Sequence, residues 1–204
     1  GSLEDVAGWG EYALDETFAD HVLVPGMIEV HSHVLEGLTG LFHYQGCFDR
    51  TAPDGRHLRG LQSIEALLDD LREQDALMDD PEETLTTVGF DPIYFGGERL
   101  HKAHLDSVST TRPICLLHAS LHLSTVNSAM LARHGITRDT PTIGVMKGDD
   151  GEPNGELHEM SAMALCQSVV VPFFRAAASE EAIERFGAMA RQVGVTTIAD
   201  LGSQ

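Results

Sequence analysis

Val24-Pro25-Gly26-Met27-Ile28-Glu29-Val30-His31-Ser32-His33 decides how the rest of this chain is read. β-Branched and apolar residues dominate the wider segment Val22 to Val34, which predicts a strand broken early by Pro25-Gly26. Alternate residues of a strand share a face. Glu29, His31 and His33 therefore point one way, and Ile28, Val30, Ser32 and Val34 the other. The second face is almost wholly apolar and is expected to pack on a core layer. The first sets two imidazoles about 7 Å apart along the strand, with a carboxylate behind them. Two neutral imidazoles aimed into one hollow offer lone pairs that a divalent cation satisfies at about 2.0–2.1 Å each. Glu29 is then placed to orient one ring or to add negative field. An isolated His-x-His on a solvated strand face carries no such meaning. Here the glycine-broken loop Glu36-Gly37-Leu38-Thr39-Gly40 follows directly, and α/β barrels place their chemistry where a strand opens C-terminally onto a loop. His31 and His33 are thus the candidate metal ligands.

Composition narrows what such a site can serve. Among 204 residues, 32 are acidic and 13 basic, a formal net charge of −19. So few cations cannot build the positive surface that displaces counterions from a nucleic acid, and an anionic membrane is excluded on the same ground. No apolar run approaches the roughly 18 residues of a spanning helix. The opening Gly1-Ser2-Leu3-Glu4-Asp5 is acidic where a secretory leader is basic. Cys47, Cys115 and Cys166 are odd in number and widely spaced, which argues against disulfides and zinc knuckles. A reducing, cytoplasmic setting is the expectation.

Strand and helix patterns alternate along the chain. Ser63 caps a helix that carries Ile64, Leu67, Leu68 and Leu71 on one face and runs to about Met78, where Asp79-Asp80-Pro81 stops it. Leu85 to Phe90 and Pro113 to His118 read as short strands. Ser124 to His134 reads as a helix closed by Gly135. Gly148-Asp149-Asp150-Gly151 within Thr142 to Gly155 predicts a hairpin. Leu157 to Gln167 reads as helical. Ser179 caps a last helix, ended by Gly194 before the strand Val195 to Ala199. An α/β architecture follows.

These residues resemble those of a known family. Pro25-Gly26-Met27-Ile28-Glu29-Val30-His31-Ser32-His33 is similar to the Pro-Gly-Φ-Ile-Asp-x-His-x-His signature of the metal-dependent amidohydrolase superfamily, with Glu29 in place of the usual Asp. Four further segments resemble one branch, amidohydrolase family 3 (YtcJ-like). They are Leu105-Asp106 with Arg112-Pro113-Ile114; His122 with Asn127-Ser128 and Leu131; Asp150-Gly151-Glu152-Pro153-Asn154-Gly155-Glu156-Leu157 with Glu159; and Gly194-Val195-Thr196-Thr197-Ile198-Ala199-Asp200. The order is the family's, across about Ala19 to Leu201. Ser120-Leu121 stand before His122 where the family usually has Asp-Gly, a change expected to alter that loop and its substrate contacts.

The resemblance implies a (β/α)8 barrel beside a small β-sandwich, a divalent metal (zinc expected), and hydrolysis of non-peptide C–N bonds in a small amide-type substrate. His31 and His33 would be the metal ligands, Glu29 a residue supporting them, and His122 a substrate contact. A complete barrel takes about 250 residues. The expectation is therefore a partial barrel with a large α/β insertion, incomplete at both ends and inactive alone. Residues 1–24 would be a sandwich remnant and lead-in, 25–39 the first barrel strand and metal loop, 40–174 the insertion, and 175–204 a helix and the second barrel strand. A barrel face short of partners predicts self-association into a homo-oligomer.

Other residues read more plainly. Asn127 and Ser128 suit local capping, and Glu159 a surface carboxylate near a helix start. His101 and His104 suit a solvated helical face, Lys147 an exposed position, and Cys115 and Cys166 inert core thiols. Two alternative functions stand beside the hydrolase. One is a non-catalytic regulatory or binding module derived from such an enzyme. The other is a His-x-His phosphoesterase of the polymerase-and-histidinol-phosphatase type, which the missing cluster of cations disfavours.

Overall fold

The computed structural model describes residues 2–38 and 40–201. Thr39 of the predicted loop and the last residues of the expected 175–204 segment lie outside them. After a short helix α1 (Leu3–Val6) come β1 (Met27–Ser32), a 3-10 turn (Val34–Leu38), β2 (His43–Tyr44), β3 (Arg50–Thr51) and β4 (His57–Leu58). Helix α2 (Ile64–Leu77), β5 (Leu85–Phe90), α3 (Lys102–Asp106), β6 (Ile114–His118), β7 (Leu123–Val126) and α4 (Ser128–Arg133) follow. The chain ends with β8 (Val145–Lys147), β9 (Pro153–His158), α5 (Glu159–Met163), α6 (Gln167–Ala177), α7 (Glu180–Gln192) and β10 (Val195–Asp200).

Six strands form one mixed sheet in the order β2-β5-β6-β7-β9-β8. Its centre is β6, buried at all five positions. Ile114 and Leu116 join one apolar cluster, with Leu67 and Leu71 of α2, Phe90 and Leu105. Cys115 and Leu117 join the other, with Val126, Met130, Leu157 and Phe173. A strand covered on both faces has no polar side to show, which is why it reads as one apolar run. Capping fixes the helix starts: Ser63 Oγ accepts the Ala66 N–H at 3.1 Å, and Ser179 Oγ the Ala182 N–H at 3.2 Å. The expected hairpin is present, β8 pairing antiparallel with β9.

Three readings need correction. Ser124 to His134 is not one helix. Ser124, Thr125 and Val126 are β-branched or small and pair with β6, the first two also with β9, and only after the Asn127 cap does α4 begin. Leu157 and His158 likewise belong to β9, so the Leu157 to Gln167 segment is strand, then the short α5, then the start of α6. Thirdly, β1 starts only at Met27, after the proline, and its apolar side does not meet a core layer: Ile28 is 66% and Val30 70% exposed.

β1 pairs only with β10, in parallel, as a separate two-stranded sheet. Among the described residues no barrel closes. The architecture is mixed α/β. Two glycines show how tightly this small sheet is seated. A Cβ on Gly26 would lie 2.1 Å from Thr196 Oγ1 of β10, and one on Gly37 would lie 2.0 Å from the Ala182 carbonyl oxygen of α7. The turn after His33 is thus clamped onto α7, with Arg185 Nε donating to the Gly37 carbonyl at 3.2 Å.

Candidate functional site

Parallel pairing of β1 with β10 brings the two C-terminal ends side by side, Ser32 opposite Asp200. Ser32 Oγ donates to the Ala199 carbonyl at 3.3 Å. The rings of His31 and His33 stand perpendicular to each other with centroids 5.3 Å apart, closer than the backbone spacing alone requires. His33 Nδ1 lies 3.5 Å from Asp200 Oδ1. A carboxylate beside Nδ1 steadies the ring and leaves Nε2 as its free donor atom, the arrangement that carboxylates adopt behind metal-ligating histidines. His31 is exposed and His33 half-buried, so the pair lies at an open strand end and not in an enclosed hollow.

The residues fit a divalent cation in part. Two imidazoles suit zinc and its neighbours, yet among the described residues no group of three or more His, Cys, Asp or Glu side chains could hold an ion. The Glu29 carboxylate accepts the backbone N–H of His31 at 2.9 Å. His122 precedes β7 with its ring 67% exposed, and its Nδ1 lies 2.9 Å from Glu159 Oε2. The structure joins it to Glu159; among the described residues no ion pair or ring contact links it to His31 or His33.

Sequence reasoning missed two residues. Asp200 was visible only as the last residue of a family-like strand, and its place beside His33 depends on the parallel pairing. His118, at the end of β6, is only 3% exposed. Its ring stacks edge-on to Phe90 at 5.1 Å, and Nε2 meets Thr125 Oγ1 at 2.9 Å. Burial, only partly offset by Glu156, lowers its pKa to about 4, so the ring is neutral over the physiological range.

Elsewhere the polar groups are structural. Asn127, fully buried, accepts from the Ile114 and Met130 N–H groups and donates to the Ser109 and Arg112 carbonyls. Burial raises the Cys115 thiol well above its ordinary pKa and pushes Cys166 up to about 12, which makes both inert. His101 caps α3 and its Nδ1 is buried without a partner, so this pair is more enclosed than a solvated face.

Comparison with known proteins agrees with the signature. The amidohydrolase family model matches residues 19–204. The chain is 28% identical over 210 residues to "Protein LONG AFTER FAR-RED 3" of Arabidopsis thaliana, covering 99% of this chain and 33% of that protein. It thus spans about a third of the length of this curated relative. Two solved structures, metal-dependent hydrolases from Pyrococcus horikoshii and Pyrococcus furiosus, align over 85% of this chain and 30% and 31% of theirs, at 19% and 18% identity, with TM-scores of 0.44 and 0.43. Among the described residues no helix is long and apolar enough to cross a membrane.

Proposed function

The chain belongs to the amidohydrolase family, and on that premise we propose that it carries two metal-ligating imidazoles, His31 and His33, of a hydrolase that cleaves a non-peptide C–N bond in a small amide-type substrate. The observation that supports this most is the adjacency of the two rings at the C-terminal end of β1, with Asp200 of β10 behind His33. In this reading β1 (within 25–39) and β10 (within 175–204) are the first two strands of a (β/α)8 barrel. Residues 1–24 lead in, and 40–174 form the insertion that holds the six-stranded sheet.

Two imidazoles fill two of the four positions of a tetrahedral site. A divalent ion, zinc by expectation, supplies Lewis acidity to a carbonyl and acidifies water when bound. His33 presents Nε2 while Asp200 keeps the ring in place. Glu29 pins the backbone at His31 and adds negative field. His122, steadied by Glu159, is a substrate contact. Because two such donors come together among the described residues, this chain alone binds metal weakly and does not turn over amides. It also self-associates through the uncovered apolar side of β1.

Calorimetric titration of zinc tests the reading. Weak one-to-one binding is expected for the wild-type chain, falling by about tenfold or more in His31→Ala and in His33→Ala. Unchanged binding in the double variant would overturn the ligand assignment. Chelator-sensitive amidase activity of the 204-residue chain would overturn its incompleteness.

A further inference from the structure

Glu156 and His158 share one face of β9, since alternate residues of a strand point the same way. The Glu156 side chain is only 4% exposed, so its charge needs a cation close by. Arg99 supplies it. Its Nε and Nη2 lie 2.8 and 2.6 Å from the same carboxylate oxygen, Oε1. Oε2 is left facing His158 Nε2 at 3.6 Å, beyond hydrogen-bond length. That nitrogen instead meets Arg99 Nη2 at 3.2 Å. A guanidinium only donates, so Nε2 accepts and the His158 ring is neutral in this arrangement.

The two neighbours of Nε2 make opposite demands. A lone pair there suits Arg99 and repels Glu156 Oε2; an N–H there suits Glu156 and repels Arg99. One proton taken from water therefore changes which neighbour the ring can bond. Imidazole is the side chain whose charge ordinarily changes between about pH 5 and 8. His118, which lines a cavity of about 80 Å³ with Leu121, also feels Glu156, Arg99, Asp91 and His158. Burial lowers it to about 4, so it keeps out of that change. On the other side of His158 stand Glu159 and His122, already bonded to each other at 2.9 Å. Charged groups on the remaining elements packed against β9 are engaged elsewhere. Lys147 of β8 bonds the Arg138 carbonyl, and Arg133 of α4 pairs with Glu82. In α3, His104 faces Glu98, Asp106 bonds Ser128, and Lys102 lies against Gly155.

We propose that Arg99, Glu156 and His158 form a proton-driven latch: protonated His158 bonds Glu156 Oε2, and Arg99 leaves the carboxylate for water. The buried charge is then never without a cation, because the imidazolium replaces the guanidinium. Arg99 can leave because its side chain is already 43% exposed. Two residues before it, Gly96 and Gly97 have φ of 71° and 81°, with open space around both. Phe95 and Leu100 are buried and anchor the segment on either side. What the proton frees is thus the Arg99 side chain and the glycine turn, and not the whole segment.

NMR of the full wild-type chain from pH 8 to pH 5, read at the His158 ring and at Arg99 Nε–H, tests the latch. The Arg99 Nε shift should move toward that of free arginine with the same midpoint as the His158 ring. Its protection from exchange, relative to free arginine at the same pH, should fall by about tenfold or more. His158→Gln can still accept from Arg99 but takes no proton, so its Arg99 signal should stay constant. His118→Gln should keep the wild-type transition. A His158 ring that titrates while Arg99 stays protected overturns the latch, and so does a ring neutral down to pH 5. An Arg99 transition that persists in His158→Gln, or vanishes in His118→Gln, overturns it too. Neither zinc nor an amide enters the titration, so the latch stands or falls apart from the hydrolase reading.

Discussion

β6 and β1 are both short and each pairs in parallel with one neighbour, yet all five residues of β6 are buried while five of the six in β1 are exposed. Sequence hydrophobicity sets what a strand can bury; neighbours decide whether it does. β6 has strands on both sides and an apolar cluster on each face. β1 has β10 alone and no layer over Ile28 and Val30. The metal-ligand candidates therefore sit on a two-stranded sheet held by the clamp at Gly37, while the cavity lined by His118 and Leu121 is anchored in the six-stranded one.

The sharpest way to break this contrast is to truncate one large apolar side chain to alanine in each region. Phe90 is fully buried in the cluster beside β6, and Phe90→Ala should cost about 3–5 kcal/mol. Ile28→Ala should stay within about 0.5 kcal/mol, as at an ordinary surface position. Urea unfolding followed by circular dichroism measures both. Similar losses would mean that β1 is covered after all.

A pH titration sharpens the same contrast from within the supported sheet. His118 has a folded pKa of about 4 against an ordinary 6.5. Between those values the unfolded chain binds a proton that the folded chain does not, so the stability is whole above pH 6.5 and falls as the pH drops toward 4. The loss amounts to about 3 kcal/mol. His118→Gln should flatten that window. At lower pH Asp70 adds its own loss: burial pushes its carboxyl up, but bonds from His43 and Gln45, with Arg59 nearby, hold it below its usual value. An unchanged slope in His118→Gln would show that the ring is not kept neutral.

Features legible in the sequence were those written locally. The caps Ser63, Asn127 and Ser179, the helical spacing of α2 and the apolar run of β6 each need only a few consecutive residues. The His31–His33 adjacency is likewise a property of one strand. Thr125 and Val126 were misread because their state is set by β6 and β9 and not by the helix that follows. Asp200 beside His33 depends on two strands far apart in sequence. The place of His118 could not be read at all, since its neutrality comes from burial and its ring partner Thr125 lies on the next strand.

The smallest effect on the fold should come with the largest effect on assembly. Ile28 and Val30, on one face of β1, are both more than half exposed, and Val22, Leu23 and Val24 lie exposed just before the strand. In water such a contiguous apolar strip favours contact with a second copy, and a strand edge beside it offers unpaired backbone groups to the same end. Light scattering should therefore find the wild-type chain above monomer mass. Val30→Lys puts a charge in the strip and blocks edge pairing. It should return the chain to a monomer while shifting unfolding by no more than about 0.5 kcal/mol. An assembly that survives Val30→Lys would place the contact elsewhere and leave the bare face of β1 without a consequence.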